Sequence, residues 1–240
     1  MRTRVEEFSN FFDKWMSQLE EYVQLLLTLK REKSYEEVNS VTLVNKLTTH
    51  HKDYYTAKWA GAHEDVLAFF TPVWLSPFEN AHLWITGWKP SMIFRLVDSL
   101  RKSHAPGATT LADLTEEQVK KIDGLRGRIR IEEEKVERER ERQQVAMADR
   151  KMVELTKMVS FIKNGEHLAV SNQIEGLVDV ALKGLLAGLE KVMKMADCVR
   201  LKTLKGVLDL LNPMQSVDFL AALSILLIQM RKWGKRRENR

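Results

Sequence analysis

Hydrophobic residues recur at spacings of three and four along most of this 240-residue chain, which is the period of an amphipathic α-helix. The first such stretch predicts a helix from Val5 to Arg31. Its apolar positions are Phe8, Phe11, Phe12, Trp15, Leu19, Tyr22, Leu26 and Leu29. No segment of useful length alternates with the two-residue period of a β-strand. The pattern therefore predicts an all-α fold, a multi-helix bundle.

Capping signals place the next helices. In a capping box, a serine or threonine accepts a backbone N–H three residues on, and a Glu or Gln at that position returns the bond. Ser34-Tyr-Glu-Glu37 has this pattern, as does Ser76-Pro77-Phe78-Glu79, which also has proline at the first helical position. We predict helices from Ser34 through Tyr55, from Glu64 to Phe70, from Ser76 to Gly87 and from Pro90 to Arg101. Pro106 and Gly107 mark a loop at 103–113.

A long charged helix is predicted over about 115–162. Its start is the capping box Thr115-Glu-Glu-Gln118, and residues 126–142 include seven basic and six acidic side chains. Such a stretch is typical of a solvated helix with ion pairs between neighbouring turns. A leucine zipper is not indicated, because the heptad seam soon carries Glu132 and Glu139. We expect a solvated helix, or one packed in the bundle.

Two further helices are predicted at roughly 173–195 and 199–211, and a last one from the cap Asn212-Pro213 to about Trp233. The last helix joins an apolar run, 219–228, to a basic end. We favour a buried terminal helix, because the run is apolar on nearly all sides. The alternative is a calmodulin target or a membrane-surface helix. The run is shorter than the roughly 20 residues that cross a bilayer, so no membrane partner is expected.

The charge of the chain is concentrated at its C-terminal end. The formal net charge is +5, and the last ten residues account for all of it. Their basic side chains are Arg231, Lys232, Lys235, Arg236, Arg237 and Arg240. We therefore predict a single helical domain at 1–230 and a basic tail at 231–240. A balanced body argues against direct DNA binding, whereas a short basic tail fits nuclear import or an acidic partner.

Catalytic and metal-binding motifs are missing from the sequence, so we expect no enzyme and no cofactor. His50 and His51 are neighbours on one helix and point about 100° apart, which is unsuited to sharing a metal. Glu79 stands between Trp74 and Trp84, where it is either a helix cap, the interpretation we favour, or a buried catalytic acid. A single cysteine and the absence of an apolar signal segment indicate a soluble, intracellular protein.

An unusual density of aromatic residues follows the second predicted helix. Three of the six tryptophans and three of the five prolines lie in 69–100. The aromatic side chains there and just before are Tyr54, Tyr55, Trp59, Trp74, Trp84 and Trp88. Aromatics at helical spacing are usually core residues. A ligand cage or an exposed partner groove are the other interpretations.

The 69–100 segment closely resembles the plant DELAY OF GERMINATION domain family, whose relatives include the C-terminal domain of TGA bZIP transcription factors. The matching residues are Trp74, Ser76-Pro77, Glu79-Asn80, Leu83-Trp84-Ile85, Gly87, Lys89-Pro90-Ser91 and Phe94-Arg95-Leu96-Val97. Earlier matches are Phe12, Trp15, Gln18 and the run His50 to Tyr54 with Tyr55. Later matches are Ala196-Asp197, Val199-Arg200, Thr203-Leu204, Leu208, Asn212-Pro213-Met214-Gln215 and Asp218-Phe219-Leu220. The resemblance therefore spans nearly the whole chain in family order.

The resemblance implies a plant regulatory protein of seed dormancy, abscisic-acid or stress signalling and transcriptional control. It implies binding of protein partners, such as a phosphatase or a TGA-type bZIP factor, in the nucleus and cytoplasm, with DNA reached through the partner and with oligomers allowed. The alternatives are a regulator that contacts DNA directly and a calmodulin-binding sensor. No bZIP region precedes the matching segments, so a stand-alone domain is expected. The partner-binding or family-motif residues are Trp15, Gln18, His50, Tyr54, Trp74, Glu79, Trp84, Gly87 and Pro90.

Overall fold

Helices make up nearly all of the computed structural model, which describes residues 4–32, 37–102, 110–162 and 168–238. The α-helices of the N-terminal half are α1 Arg4–Glu32, α2 Glu37–Glu64, α3 Leu67–Phe70, α4 Pro77–Ala81 and α5 Met92–Arg101. Those of the C-terminal half are α6 Glu116–Val145, α7 Arg150–Ile162, α8 Leu168–Leu208 and α9 Pro213–Glu238. Short 3₁₀ turns lie at Thr110–Asp113 and Ala146–Ala148. No strand occurs within these ranges, which confirms the all-α prediction.

Helices α1, α2 and α9 pack together as one layer of the bundle. Helix α9 is buried along most of its length, at positions such as Phe219, Leu220 and Leu223. By length and composition α9 is apolar enough to cross a membrane, and more than half of that window is buried inside the protein. Its apolar side chains therefore serve as core, which is the buried interpretation of this segment.

Helices α6 and α8 form the second layer and pack along each other. The apolar positions Ile122, Leu125, Ile129 and Val136 of α6 are buried, whereas its other faces carry ion pairs such as Lys121–Glu117 and Arg142–Glu139. Helix α6 is therefore a packed bundle helix with a solvated outer face. Of the two forms expected for this segment, a solvated helix or one packed in the bundle, the structure has the packed one.

Local capping signals placed several helix starts correctly. Ser76 and Thr115 each form a complete capping box, with Glu79 and Gln118 returning the bond to the cap backbone. Asn212 accepts from the backbone N–H of Gln215 at 2.8 Å, and the Gln215 side chain accepts from Asn212 N–H at 2.9 Å. The predicted cap at Ser34 and the loop residues Pro106 and Gly107 lie outside the described residues.

Several helix boundaries differ from the predictions. The helix predicted over 115–162 is interrupted at 146–149, where Asp149 adopts extended backbone and its carbonyl begins α7. The helices predicted at 173–195 and 199–211 are one continuous α8, and Asp197, in the predicted gap, bonds to Lys58 of α2. Helix α4 ends at Ala81, so Gly87 does not terminate it.

A further difference concerns the basic tail. Helix α9 continues through Glu238, so no boundary separates a domain ending at residue 230 from a tail beginning at 231. Arg231 is buried and its guanidinium pairs with Asp13 of α1 at 2.5 Å. Lys232 pairs with Glu20 at 3.0 Å. The first residues assigned to the tail are therefore part of the folded body.

The seam between α6 and α8 yields a matched test of packing. Ile129 is fully buried and Ile131, on the same helix, is 53% exposed. Ile129→Ala should lower the free energy of unfolding by about 2–5 kcal/mol, because it removes buried methyl groups and leaves a cavity. Ile131→Ala should change it by less than about 0.5 kcal/mol. Urea denaturation followed by circular dichroism measures both, and equal losses would contradict this packing.

Candidate functional site

A tight turn at Trp84–Gly87 lies at the centre of the aromatic segment. Trp84 N–H donates to the Gly87 carbonyl at 2.7 Å, and Gly87 N–H donates back to the Trp84 carbonyl at 3.3 Å. The two residues between them are left-handed, with φ of 42° at Ile85 and 59° at Thr86. Neither is glycine, and both are β-branched, so each costs on the order of 1–3 kcal/mol of strain. Surrounding contacts must hold this turn in place.

Arg200, from the middle of α8, supplies those contacts. Its Nη2 donates to the carbonyls of Trp84 and Ile85, the latter at 2.7 Å, and its Nε donates to the Trp88 carbonyl at 2.7 Å. A Cβ on Gly87 would lie 2.8 Å from Arg200 Cζ, so a side chain there would displace the guanidinium. The family glycine is therefore required by the close approach of an arginine.

A buried ion cluster fixes Arg200 in turn. Its Nη1 donates to Asp197 Oδ1 at 2.5 Å, and Lys58 Nζ of α2 donates to the same oxygen at 2.8 Å. Lys58 also donates to the Thr86 hydroxyl at 2.8 Å and to the Thr86 carbonyl at 3.1 Å, and Trp59 Nε1 donates to Asp197 Oδ2 at 3.0 Å. Burial lowers the pKa of Lys58 to about 8, although Asp197 opposes the shift. The cluster thereby joins α2, α8 and the turn.

Two cations share one carboxylate in this cluster. The side chains of Lys58, Asp197 and Arg200 are each no more than 1% exposed. Two cations and one carboxylate therefore leave one net positive charge inside the protein. A carboxylate that holds two buried cations is costly to remove, because the partners are left without compensation.

The family pair Trp15 and His50 joins α1 to α2. Their rings stack with centroids 4.8 Å apart and an interplanar angle of 4°. Trp15 Nε1 donates to the His50 carbonyl at 2.9 Å, and His50 Nε2 donates to the Trp15 carbonyl at 3.0 Å. Burial lowers the pKa of His50, against the opposing effect of that backbone bond. The ring stack and the two reciprocal hydrogen bonds fix α1 against α2 at this position.

Glu79 is a helix cap, as favoured. Its Oε2 accepts from Ser76 N–H at 2.9 Å and from the Ser76 hydroxyl at 2.7 Å. Arg231 lies 3.8 Å from its other oxygen and donates to the Trp74 carbonyl at 3.0 Å. A Cβ on Gly234 would lie 2.0 Å from Ser76 Oγ, so α9 and α4 are in close contact. Glu79 and Arg231 therefore have structural roles at this crossing.

A cavity of about 420 Å³ opens beside the ion cluster. Phe12, Trp15, Tyr54, Tyr55 and Trp88 supply aromatic walls. Met92, Leu226, Leu227 and Met230 supply aliphatic walls, and Lys58, Asp197 and Arg200 lie at one side. Burial raises the pKa of both tyrosines well above the usual value. Pockets of about 300–1,000 Å³ with such walls are typical of small-molecule sites.

His51 also lines this cavity. It is 6% exposed, and no described residue forms a hydrogen bond with its Nε2. Burial lowers the pKa of His51 to about 4, with the neighbouring His50 as a smaller cause, so the imidazole is neutral at pH 7. A buried polar atom without a protein partner is uncommon and calls for an explanation.

The structure separates the other predicted residues. Tyr54 and Gly87 line the cavity, whereas Gln18 is exposed on α1 and Pro90 is buried before α5. Of the proposed cage, Tyr54, Tyr55 and Trp88 reach the cavity; Trp74 packs against Phe8 and Phe69 in the core. Trp84 is half-buried, and its Nε1 donates to Glu137 at 2.9 Å. The six aromatic side chains therefore do not line one common cavity.

The basic end of α9 is exposed to solvent. Lys232, Lys235, Arg236 and Arg237 are exposed on the last turns of α9, next to Trp233, which is 51% exposed. Within the described ranges, no three His, Cys, Asp or Glu side chains are close enough to hold a metal ion.

The sequence patterns did not indicate Lys58 as a site residue, and they gave Asp197 and Arg200 only as family matches without a role. The sequence signal for this pair is an Asp and an Arg three residues apart within an apolar stretch of α8.

A second surface stands apart from the cavity. Helix α7 packs on α8, and this two-helix hairpin exposes apolar side chains that no described residue covers. They are Val153, Met158, Leu177, Val180, Leu182 and Leu186, with Val180 68% exposed. Helical spacing places Leu177 and Val180 together on one face of α8, and Leu182 and Leu186 together on another. Neighbouring exposed apolar side chains on a helix face mark protein interaction sites. We call these six side chains the hairpin surface.

Comparison with known proteins agrees with these motifs. The family model described as DOG1, seed dormancy control, matches residues 22–99. Protein DOG1-like 4 of Arabidopsis thaliana is 53% identical over 99% of this chain and 96% of its own length. Protein RESPONSE TO ABA AND SALT 1 of the same plant is 27% identical, covering 94% of each chain. Transcription factor TGA2.3 of Oryza sativa subsp. japonica is 26% identical over 76% of this chain and 50% of its own.

Substitution of the turn glycine tests the contact with Arg200. Gly87→Ala should lower the free energy of unfolding by about 1–3 kcal/mol, because its Cβ would overlap the buried guanidinium. Gly127→Ala, in exposed helix with no atom within 4 Å of the new Cβ, should raise stability by up to about 1 kcal/mol. Urea denaturation compares the two. Stabilisation by both substitutions would contradict the close approach at Gly87.

Acid should destabilise the protein through His51. Its pKa falls from an ordinary 6.5 to about 4 on folding, so the unfolded chain binds the proton more readily between these values. Stability is therefore lost as pH falls from 6.5 towards 4, by about 2 kcal/mol at pH 5. In wild type the unfolding free energy should fall between pH 7.5 and pH 5.0. In His51→Gln this fall should be smaller by about 2 kcal/mol, because the group that takes up the proton is gone. The exposed control His82→Gln should keep the wild-type difference, and an undiminished drop in His51→Gln would refute the assignment.

Proposed function

Because this chain belongs to the plant DELAY OF GERMINATION (seed dormancy control) family, we propose that it is a non-enzymatic regulator that acts by binding other proteins. The processes are seed dormancy, abscisic-acid or stress signalling and transcriptional control. Family membership rests on 53% identity to DOG1-like 4 over nearly the full length of both chains. The similarity to RESPONSE TO ABA AND SALT 1 supports the signalling context.

The hairpin surface is the observation that best supports a role in binding other proteins. Six large apolar side chains on two packed helices remain solvent-exposed in the described part of the chain, at a cost that a partner would remove. Helical grooves and apolar helix faces are a recurrent mode of protein recognition. In contrast, the predicted motif residues Trp15, His50, Trp74 and Glu79 are engaged inside the bundle. Partner binding is therefore assigned to the hairpin surface instead of to those motif residues.

The partner we propose is a TGA-type bZIP factor, with a signalling phosphatase as the alternative. TGA2.3 is similar to this chain over half of its own length, so the two proteins share a domain of this kind. In a two-fold symmetric dimer the same surface patch of two copies meets at the interface, and a shared domain gives two related chains comparable patches. Binding such a factor would bring this protein to DNA through the partner. The exposed Lys235, Arg236 and Arg237 then fit a nuclear-import signal, consistent with action in the nucleus.

The structure disfavours the calmodulin alternative. Calmodulin wraps the apolar face of a target helix, but in α9 the residues Val217, Phe219, Leu220 and Leu223 are at most 1% exposed. Capture would therefore require α9 to leave the core. Direct DNA contact has the exposed basic end of α9 as its support, and it is an outcome of the experiment below.

A pull-down from nuclear extract of plant seeds, read by mass spectrometry, tests the binding role. Leu177→Glu combined with Val180→Glu places charge on the hairpin surface, and Val73→Glu makes the same change at a site 77% exposed elsewhere. We expect wild type and Val73→Glu to recover bZIP factors or phosphatases. The double variant should recover them at least about tenfold less, because each lost apolar contact is worth roughly 1.5–3 kcal/mol.

A third variant separates the basic residues from the partner surface. Truncation at 231 would remove the buried Arg231, so the exposed Lys235, Arg236 and Arg237 are changed to Gln instead. This variant should keep its protein partners. Recovery of chromatin alone, lost in this variant and at modest salt, would support direct DNA contact and contradict the proposal. Equal recovery by the double variant and wild type would place the partner surface elsewhere.

A further inference from the structure

We propose that the cavity between α1, α2, α9 and the Trp84–Gly87 turn binds a compact apolar molecule that carries one carboxylate group. The apolar body would lie against the aromatic and aliphatic walls, with the carboxylate at the Nε2 atom of His51. This site is separate from the hairpin surface, so the inference does not depend on the proposed protein partner. Three features of the cavity lead to it: its size and walls, an unpartnered polar atom and an excess of positive charge.

The walls suit a rigid apolar body. Phe12, Trp15 and Trp88 offer ring faces, and Leu227 and Met230 offer flexible aliphatic contacts. A volume of about 420 Å³ falls in the range of small-molecule pockets, about 300–1,000 Å³. Such pockets combine mostly apolar walls with a few placed polar groups that orient the ligand. The body of the ligand is therefore apolar and of roughly two-ring size.

His51 Nε2 is the placed polar group. The His51 side chain is 6% exposed and lines the cavity, and its Nε2 atom is enclosed and has no hydrogen-bond partner within the described ranges. A ligand would reach this atom by a turn of the ring towards the cavity. Leaving a buried polar atom unpaired is unfavourable, because the atom has lost its hydrogen bonds to water. A neutral imidazole with its proton on Nε2 can donate to a carboxylate oxygen, which would recover that cost on binding.

The charge around the cavity selects an anion. Lys58 and Arg200 share the carboxylate of Asp197, so one positive charge is uncompensated at this side. Lys58 already donates three hydrogen bonds, so its attraction acts through the field and not through direct contact. Glu79 also lines the cavity, but it is held by Ser76 and faces Arg231.

The remaining charged group at the cavity is Lys89. It pairs with Glu137 at 2.9 Å, and both side chains are 45% exposed, so solvent screens them. His82 is exposed and its Nδ1 bonds to the Phe78 carbonyl. The buried excess is thus a single positive charge. A monoanion neutralises it, whereas a cation is repelled and a doubly charged phosphate exceeds it.

Three isosteric probes test the charge class on the full chain by isothermal titration calorimetry. They are 2-naphthoate, neutral 2-naphthamide and cationic 2-naphthylmethylammonium. We expect one site for 2-naphthoate, at least about tenfold weaker binding of the amide, and no binding of the ammonium compound, because hydrogen bonds to charged groups are the stronger ones. Equal affinity for amide and carboxylate, or binding of none of the three, would overturn the proposal.

Paired variants test the location. His51→Phe keeps a ring but removes Nε2, and Met230→Trp fills the cavity; the controls are His63→Phe and Met147→Trp, whose positions are exposed and outside the cavity. Both cavity variants should weaken 2-naphthoate binding at least about tenfold while the controls bind as wild type. Circular dichroism establishes that each variant is folded. Wild-type affinity in both cavity variants would place the site elsewhere and refute the assignment, and the three-probe comparison stands even where a variant fails to fold.

Discussion

The carboxylate of Asp197 is the point on which the described structure depends most. It accepts from Lys58 of α2 and from Arg200 of α8, and Arg200 in turn donates to three carbonyls of the Trp84–Trp88 segment. Two β-branched residues in left-handed backbone would not hold that turn by themselves. Because the cluster is buried, its hydrogen bonds act in a low-dielectric environment and are strong, but each is costly to lose. One carboxylate therefore connects two layers of helices and shapes a wall of the cavity.

The molecule has two candidate sites, one inside the bundle beside the ion cluster and one on its outside. Inside, the ion cluster leaves a net positive charge beside aromatic walls and the unpartnered His51. Outside, the hairpin surface extends from the body on α7 and the first half of α8. Helix α8 belongs to both, since its later half carries Asp197 and Arg200. A ligand in the cavity and a protein on the hairpin would thus contact one continuous helix, which gives the two sites a physical connection.

Features with local causes were predictable from the sequence, and those with distant causes were not. The caps at Ser76, Thr115 and Asn212 involve neighbours three residues apart, so their patterns identified the helix starts. Asp197 lies in the gap predicted between two helices, but α8 is continuous there, and its partner Lys58 is 139 positions away in sequence. The turn at Ile85 and Thr86 has no glycine to announce it. The cavity combines residues from both ends of the chain, and Arg231, predicted as part of a tail, pairs with Asp13 near the other end of the chain.

The unfolding free energy of Asp197→Asn is the most direct measure of this account. The substitution keeps the shape of the side chain but leaves Lys58 and Arg200 as buried cations without a counter-charge. We predict a loss of about 3–5 kcal/mol by urea denaturation at pH 7. The control Asp209→Asn removes a carboxylate that is 57% exposed and paired with Lys205 on the surface, and it should cost less than about 1 kcal/mol. A loss for Asp197→Asn as small as that for Asp209→Asn would contradict the central role of the cluster.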